Sequence, residues 1–196
     1  MSAPHFTSDD VLVRAQETPN PFALKFIVNH AIKRKGKATF YVVEECEGLP
    51  LASSLFHIKG VKQLYFFENT ITMTHDGSLD KSDLEKNVTA VIKTRLPIHD
   101  PDFKLPGEQF TMKSDDRPHR SPELQQIEEI LDRTIRSGLQ ADGGDVELIE
   151  LKDNELKIVY MGACGGCPSA LMGTLDAIQN ILRQELGKPE LIVSPI

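Results

Sequence analysis

Two cysteines three residues apart, Cys164 and Cys167, form the pair in this 196-residue chain whose type and spacing could hold a metal. A short loop brings both sulfurs to one side, where thiolates ligate one centre together or form and break a disulfide with each other. Gly165 and Gly166 stand between them, opening backbone angles closed to other residues and leaving room for a bulky inorganic core. Pro168 reads as the first position of a helix whose unpaired N–H groups point back toward the sulfurs. No Lys or Arg occurs from Ile158 to Leu182, so a thiolate here must rely on backbone dipoles. Such dipoles favour metal ligation and nucleophilic attack alike.

Ligand counting narrows the choice. A common 2Fe-2S or 4Fe-4S cluster takes four cysteines, and this loop supplies two. A second copy of the chain across a two-fold axis supplies the rest, at an interface. A site of that kind loses half its ligands when the dimer opens, which suits a cluster held temporarily. Three other readings stand beside it. A dithiol oxidoreductase would use Cys164 as attacking thiolate and Cys167 as resolving thiol. Thioredoxin-like proteins, however, carry an aromatic residue before the first cysteine and a cis-proline on a later strand. Here Gly162-Ala163 precedes Cys164, and the next proline after Pro168 is Pro189. A zinc site closed within one chain needs two more ligands, and no histidine follows His119. A permanent electron-transfer centre differs from a carrier only in how firmly it keeps its cluster. The glycine-rich setting reads as exposed, which argues against a purely structural pair.

The remaining polar residues say less. Asp142-Gly143-Gly144-Asp145 lacks the oxygen series of a cation loop and reads as a tight turn. His5, His30, His57, His75, His99 and His119 show no paired spacing; of these only His57 is a candidate, for target recognition. Cys46 stands alone and reads as an ordinary half-buried cysteine. Nothing resembles a nucleophile elbow or a phosphate-binding glycine loop. An odd cysteine count argues against a disulfide framework.

The net charge of -7 sits at one end. Residues 1–122 hold 16 acidic and 16 basic residues, whereas residues 123–196 hold 13 and 6, so no nucleic-acid surface is expected there. No apolar run approaches the roughly 20 residues that a spanning helix needs. The first ten residues have no basic start followed by an apolar stretch, so the expectation is an unprocessed cytoplasmic protein.

These residues need elements to position them. Strands are expected on both sides of Thr18-Pro19-Asn20-Pro21, then over Ala38–Glu44, and as a hairpin over Val61–Phe67 and Thr70–His75. Helices are expected over Leu51–Ile58 and from Ser78 or Asp80 to Leu96. Residues 97–122 hold five prolines and nine charged residues and read as a partly ordered linker, on which Phe103, Leu105 and Phe110 still pack. Beyond it, Ser121-Pro122 opens a helix carrying Leu124, Ile127, Leu131 and Ile135 on one face. A hairpin over 146–151 and 156–161 follows. The CxxC loop leads from it into a helix lined by Leu171, Leu175, Ile178, Leu182 and Leu186, and a last strand covers 191–193. The fold class is α+β. Two small α/β domains are expected, strands with two helices over 10–96 and helix-hairpin-helix-strand over 123–196, joined by the proline-rich linker.

Leu139-Gln-Ala-Asp-Gly-Gly-Asp-Val146 followed by Met161-Gly-Ala-Cys-Gly-Gly-Cys-Pro-Ser-Ala170 resembles the C-terminal domain of NifU-like (Nfu-type) iron-sulfur proteins. Thr18-Pro-Asn-Pro-Phe-Ala-Leu-Lys-Phe26 and Leu51-Ala-Ser-Ser-Leu-Phe-His-Ile-Lys-Gly-Val61 are similar to the Nfu N-terminal domain. The resemblance implies a non-enzymatic scaffold or carrier. Its cofactor would be a labile iron-sulfur cluster, 4Fe-4S with 2Fe-2S as the alternative, bound by Cys164 and Cys167 of two subunits. It implies a homodimer on cluster binding, with apo iron-sulfur proteins and the cluster assembly machinery as partners. The N-terminal domain would serve stability or target recognition. Ala170 departs from members that carry a second serine there.

Overall fold

A computed structural model describes residues 6–105, 121–165 and 168–196. The chain divides into two compact units, residues 1–105 and 106–196. Phe110, His5, His119 and Cys167 lie outside the described residues.

Among the described residues, the first unit is built on an antiparallel sheet in the order β1-β2-β5-β4-β3. Its strands are β1 (Val13–Glu17), β2 (Ala23–Val28), β3 (Lys33–Phe40), β4 (Val61–Glu68) and β5 (Thr70–His75). Because side chains alternate along a strand, register decides which ones share a face. Phe26 lies opposite Ile71, Ile71 opposite Phe66 and Phe66 opposite Ala38; Leu24, Met73, Leu64 and Phe40 form the next row. These two rows are the apolar face. Helices α1 (Pro50–Phe56) and α2 (Lys81–Arg95) complete the core with Leu51, Leu55, Leu84, Val88 and Ile92. Asp80 starts α2, its carboxylate accepting from the Ser82 N–H at 2.9 Å.

Two expectations need revising. The strand expected over Ala38–Glu44 ends at Phe40, and Val43–Cys46 forms a 3-10 turn instead. The Tyr41 N–H donates to the Glu45 carboxylate at 2.6 Å, so a side chain takes the donor that a ladder would use. Tyr41, Val42 and Val43 remain exposed in spite of their strand propensity. Residues 97–105, expected within the linker, pack as part of the first unit. Leu96–Ile98 form a 3-10 turn, the His99 ring nitrogen Nε2 lies 2.7 Å from the Ile32 carbonyl, and Phe103 is buried against Phe40 and Phe66. Lys33 closes this strap, its Nζ lying 4.1 Å from the centre of the Phe103 ring and donating to the Phe103 carbonyl.

The second unit begins with α3 (Pro122–Leu131), where the Ser121 hydroxyl accepts from the Leu124 N–H at 3.2 Å. A π-helical turn over Asp132–Arg136 follows, then α4 (Ser137–Ala141). Strands β6 (Gly144–Lys152) and β7 (Glu155–Gly162) pair antiparallel, and β8 (Ile192–Pro195) joins β7 in parallel. Helix α5 (Pro168–Leu186) supplies the crossover between β7 and β8. It is tied to the end of the chain by Arg183 Nε donating to the Leu191 carbonyl at 2.8 Å and by Gln179 accepting from the Val193 N–H at 3.0 Å. Ile127, Leu131, Val146, Leu148, Leu156, Ile158, Ile178 and Leu182 form the core. The architecture is α+β, and among the described residues no helix is long and apolar enough to cross a membrane.

Phe66 meets Phe40 edge-on at 5.3 Å and is fully buried. Truncation to alanine leaves a cavity in the middle of the sheet, so Phe66→Ala is expected to destabilise the first unit by about 3–5 kcal/mol, read from the shift of its urea unfolding transition.

Candidate functional site

The CxxC loop starts where the β6–β7 hairpin ends. Asp153 and Asn154 take left-handed backbone angles at the far turn, φ 49 and 64, the geometry that joins twisted antiparallel strands through two residues. The hairpin then closes in register as far as Gly144 opposite Gly162. One step on, the Ala163 N–H donates to the Gly143 carbonyl at 3.0 Å, and the Gly165 N–H donates to the Gly162 carbonyl at 3.0 Å. The chain that leads into Cys164 is therefore bonded to the turn preceding β6.

Gly143 and Gly144 have different tasks. Gly143, at φ 82, turns the chain out of α4 in a conformation that side chains rarely adopt. Gly144 provides space. A Cβ built on it lies 2.9 Å from the Cys164 backbone nitrogen and closer still to the sulfur, below any distance that real Cβ atoms show. The Cys164 sulfur rests against the bare Cα of Gly144. The sequence reading of Asp142–Asp145 as a turn is right as far as it goes, but it misses this second role. The signal was there: Gly143 alone makes the turn, and a second glycine needs its own reason.

The expectation of an exposed cysteine is overturned. Cys164 is 5% exposed and belongs to the buried cluster that includes Val146, Ile158 and Tyr160. At Gly144 the missing side chain lets backbone lie against the sulfur rather than opening it to solvent. Tyr160 shares this cluster. Burial first, and the neighbouring Cys164 second, push its phenol up to about 12.

Charge is organised below the hairpin end. Asp145 is 1% exposed, Glu128 is buried on α3, and Arg136 reaches both. Arg136 Nη1 lies 2.8 Å from Glu128 Oε1, and Nε lies 3.1 Å from Asp132 Oδ1 and 3.5 Å from Asp145 Oδ1. Burial works against the charged guanidinium, and the carboxylates outweigh it, so Arg136 holds its proton more firmly than an ordinary arginine. The π-helical turn ends at Arg136 and adds a residue to the helical path. Arg136 also donates from Nη2 to the Val146 carbonyl at 3.3 Å, which anchors β6 beside the loop. Sequence reading missed this group because Asp145 looked like a turn residue.

The structure gives Cys46 a different role from Cys164. It is buried in the first unit, and burial, followed by Glu45 and Glu44, raises its thiol to about 12. A thiol so raised stays protonated and is a poor ligand. His57 caps α1, its Nδ1 2.7 Å from the Ser53 carbonyl. His30 stacks on Phe6 with ring centres 3.8 Å apart, and His75 lies edge-on to Phe22. Among the described residues no group of three or more His, Cys, Asp or Glu side chains converges on a point where one chain could hold a metal.

Two substitutions test this arrangement. Gly144→Ala forces a side chain into the sulfur's seat. It is expected to destabilise the second unit by about 1–3 kcal/mol and to speed alkylation of Cys164, read by mass spectrometry. Arg136→Met leaves Glu128 and Asp145 buried without their cation. An expected loss of about 3–5 kcal/mol would appear in the urea midpoint of the same unit.

Residues 127–193 match the family model described as NifU-like domain, and residues 13–98 match scaffold protein Nfu/NifU N terminal. The chain is similar to "NFU1 iron-sulfur cluster scaffold homolog, mitochondrial" of Drosophila persimilis, 30% identical over 190 residues that cover 93% of this chain and 64% of that one. The human protein of the same description is 30% identical over 178 residues, 88% of this chain and 67% of the relative. "NifU-like protein 4, mitochondrial" of Arabidopsis thaliana is 29% identical over 88% of this chain and 62% of its own. The chain thus spans less than two thirds of the length of the fruit-fly relative.

Proposed function

Because the chain belongs to the Nfu/NifU family, we propose that it is a scaffold and carrier that receives an iron-sulfur cluster and passes it to apo-proteins. A scaffold holds cargo rather than converting a substrate, and this family is one of scaffolds, not of catalysts. The observation that carries the proposal for this chain is the seat of Cys164. Its sulfur is fixed at the end of a hairpin by Gly144, three residues before the second cysteine, and among the described residues no three metal-ligating side chains converge. One chain then offers two thiolates, from Cys164 and Cys167, and a four-thiolate cluster takes its other two from a second copy.

In this reading the cluster is 4Fe-4S, held between two subunits, and the homodimer forms as it loads. Transfer follows from the same ligand count, since separating the subunits strips half the ligands at once. The partners are the assembly machinery that loads the cluster and the apo-proteins that take it. Cytoplasmic placement is part of the proposal, against which stand the mitochondrial names of the relatives. Localisation of the tagged full-length protein decides that point.

Anaerobic reconstitution with iron and sulfide tests the core of the proposal. Wild type is expected to gain visible absorption at about four irons per two chains and to shift to a dimer, and Cys164→Ala to do neither. Recovery of activity by an apo 4Fe-4S enzyme mixed with the loaded protein would establish transfer. A full cluster on each monomer would overturn the shared site. Rapid reduction of a disulfide substrate by the metal-free protein would favour the dithiol oxidoreductase instead.

A further inference from the structure

Tyr160 is 7% exposed on β7, and among the described residues its hydroxyl reaches no hydrogen-bond partner. A buried O–H left unpaired is a liability, and phenylalanine would fill the same space without it. Tyr160 stands opposite Val146, two positions along β7 from Gly162, whose strand partner Gly144 seats Cys164. Its ring lies in the same buried cluster as that cysteine. Among the described residues of this cluster, the group that would change character when cargo arrives is the Cys164 sulfur. A thiol is a weak acceptor, whereas a thiolate bound to iron, or an inorganic sulfide beside it, carries charge and accepts well. Hydrogen bonds to such sulfurs raise a cluster's reduction potential and hold its ligands in place.

We propose that Tyr160 is a positioning residue for the cargo, its hydroxyl donating to the Cys164 sulfur or an adjacent cluster sulfide in the loaded protein and having no such acceptor before loading. The proposal rests on Cys164 being a cluster ligand. It assigns the orphaned hydroxyl a purpose, because the cost borne by the empty chain becomes affinity for the loaded state.

The test compares full-length wild type with Tyr160→Phe, both reconstituted anaerobically with iron and sulfide. Three quantities are read: the thermal midpoint of the cluster-free chain, the reduction potential of the bound cluster, and the rate at which a ferrous chelator strips it. The cluster-free midpoint should stay level or rise, the potential should fall, and stripping should be several-fold faster. A lower cluster-free midpoint would overturn the proposal by showing that the hydroxyl already has a partner. So would a wild-type potential and stripping rate in the variant. If wild type itself takes up no cluster, the carrier reading fails first and the role of Tyr160 falls with it; if wild type loads normally and the variant matches it, only the role of Tyr160 fails.

Discussion

The contact between the Cys164 sulfur and the bare Cα of Gly144 depends on the register of one hairpin, and most of the second unit exists to hold that register. A slip of one residue would carry Val146, Leu148, Leu156 and Ile158 to the other face and take the seat away from the sulfur. Several independent constraints prevent it. The left-handed pair Asp153 and Asn154 fixes the far end, and the bond from Ala163 to Gly143 fixes the near end. Strand β8 then pairs alongside the strand that leads into the cysteine, and Ile178 and Leu182 of helix α5 join the same core. The precision is local, but what provides it is spread over the whole unit.

The buried ionic group under the loop serves the same end by a different force. One guanidinium faces Glu128, Asp132 and Asp145, and two of those carboxylates lie out of reach of solvent. Apolar residues of similar volume would often be at least as stable, so such a group is better understood as fixing position than as adding stability. Here it joins α3, the π-helical turn and the first residues of β6. The acidic excess of the C-terminal half is thus partly internal. Some of the carboxylates that appear in the sequence as surface charge are structural.

Regular elements were largely legible in the sequence because they follow from local chemistry. Ser121-Pro122 and Asp80 start helices as capping predicts, and the spacing of Leu84 and Val88, or of Ile178 and Leu182, finds the buried faces. What escaped was decided by partners far along the chain. Val42 and Val43 favour a strand, but the Glu45 side chain takes the Tyr41 donor. Residues 97–105 read as a partly ordered linker on which Phe103 packs, but its partners Phe40 and Phe66 lie too far along the chain to be named from sequence. At the site itself, the cysteine pair and the glycines that flank it were visible. The burial of Cys164 was not, since a glycine-rich string gives no sign of whether its missing side chains admit water or backbone.

That seat also bears on how the Cys164 thiol withstands oxidants. Peroxides attack exposed thiolates and convert them stepwise to sulfenic, sulfinic and sulfonic acids, the last two steps being hard to reverse. At Cys164 little surface is open to a reagent. On the side facing Gly144, moreover, an oxygen added to the sulfur finds no more room than a methyl group does. The glycine that seats the Cys164 sulfur therefore also guards it, leaving an oxidant little room to add to the thiol.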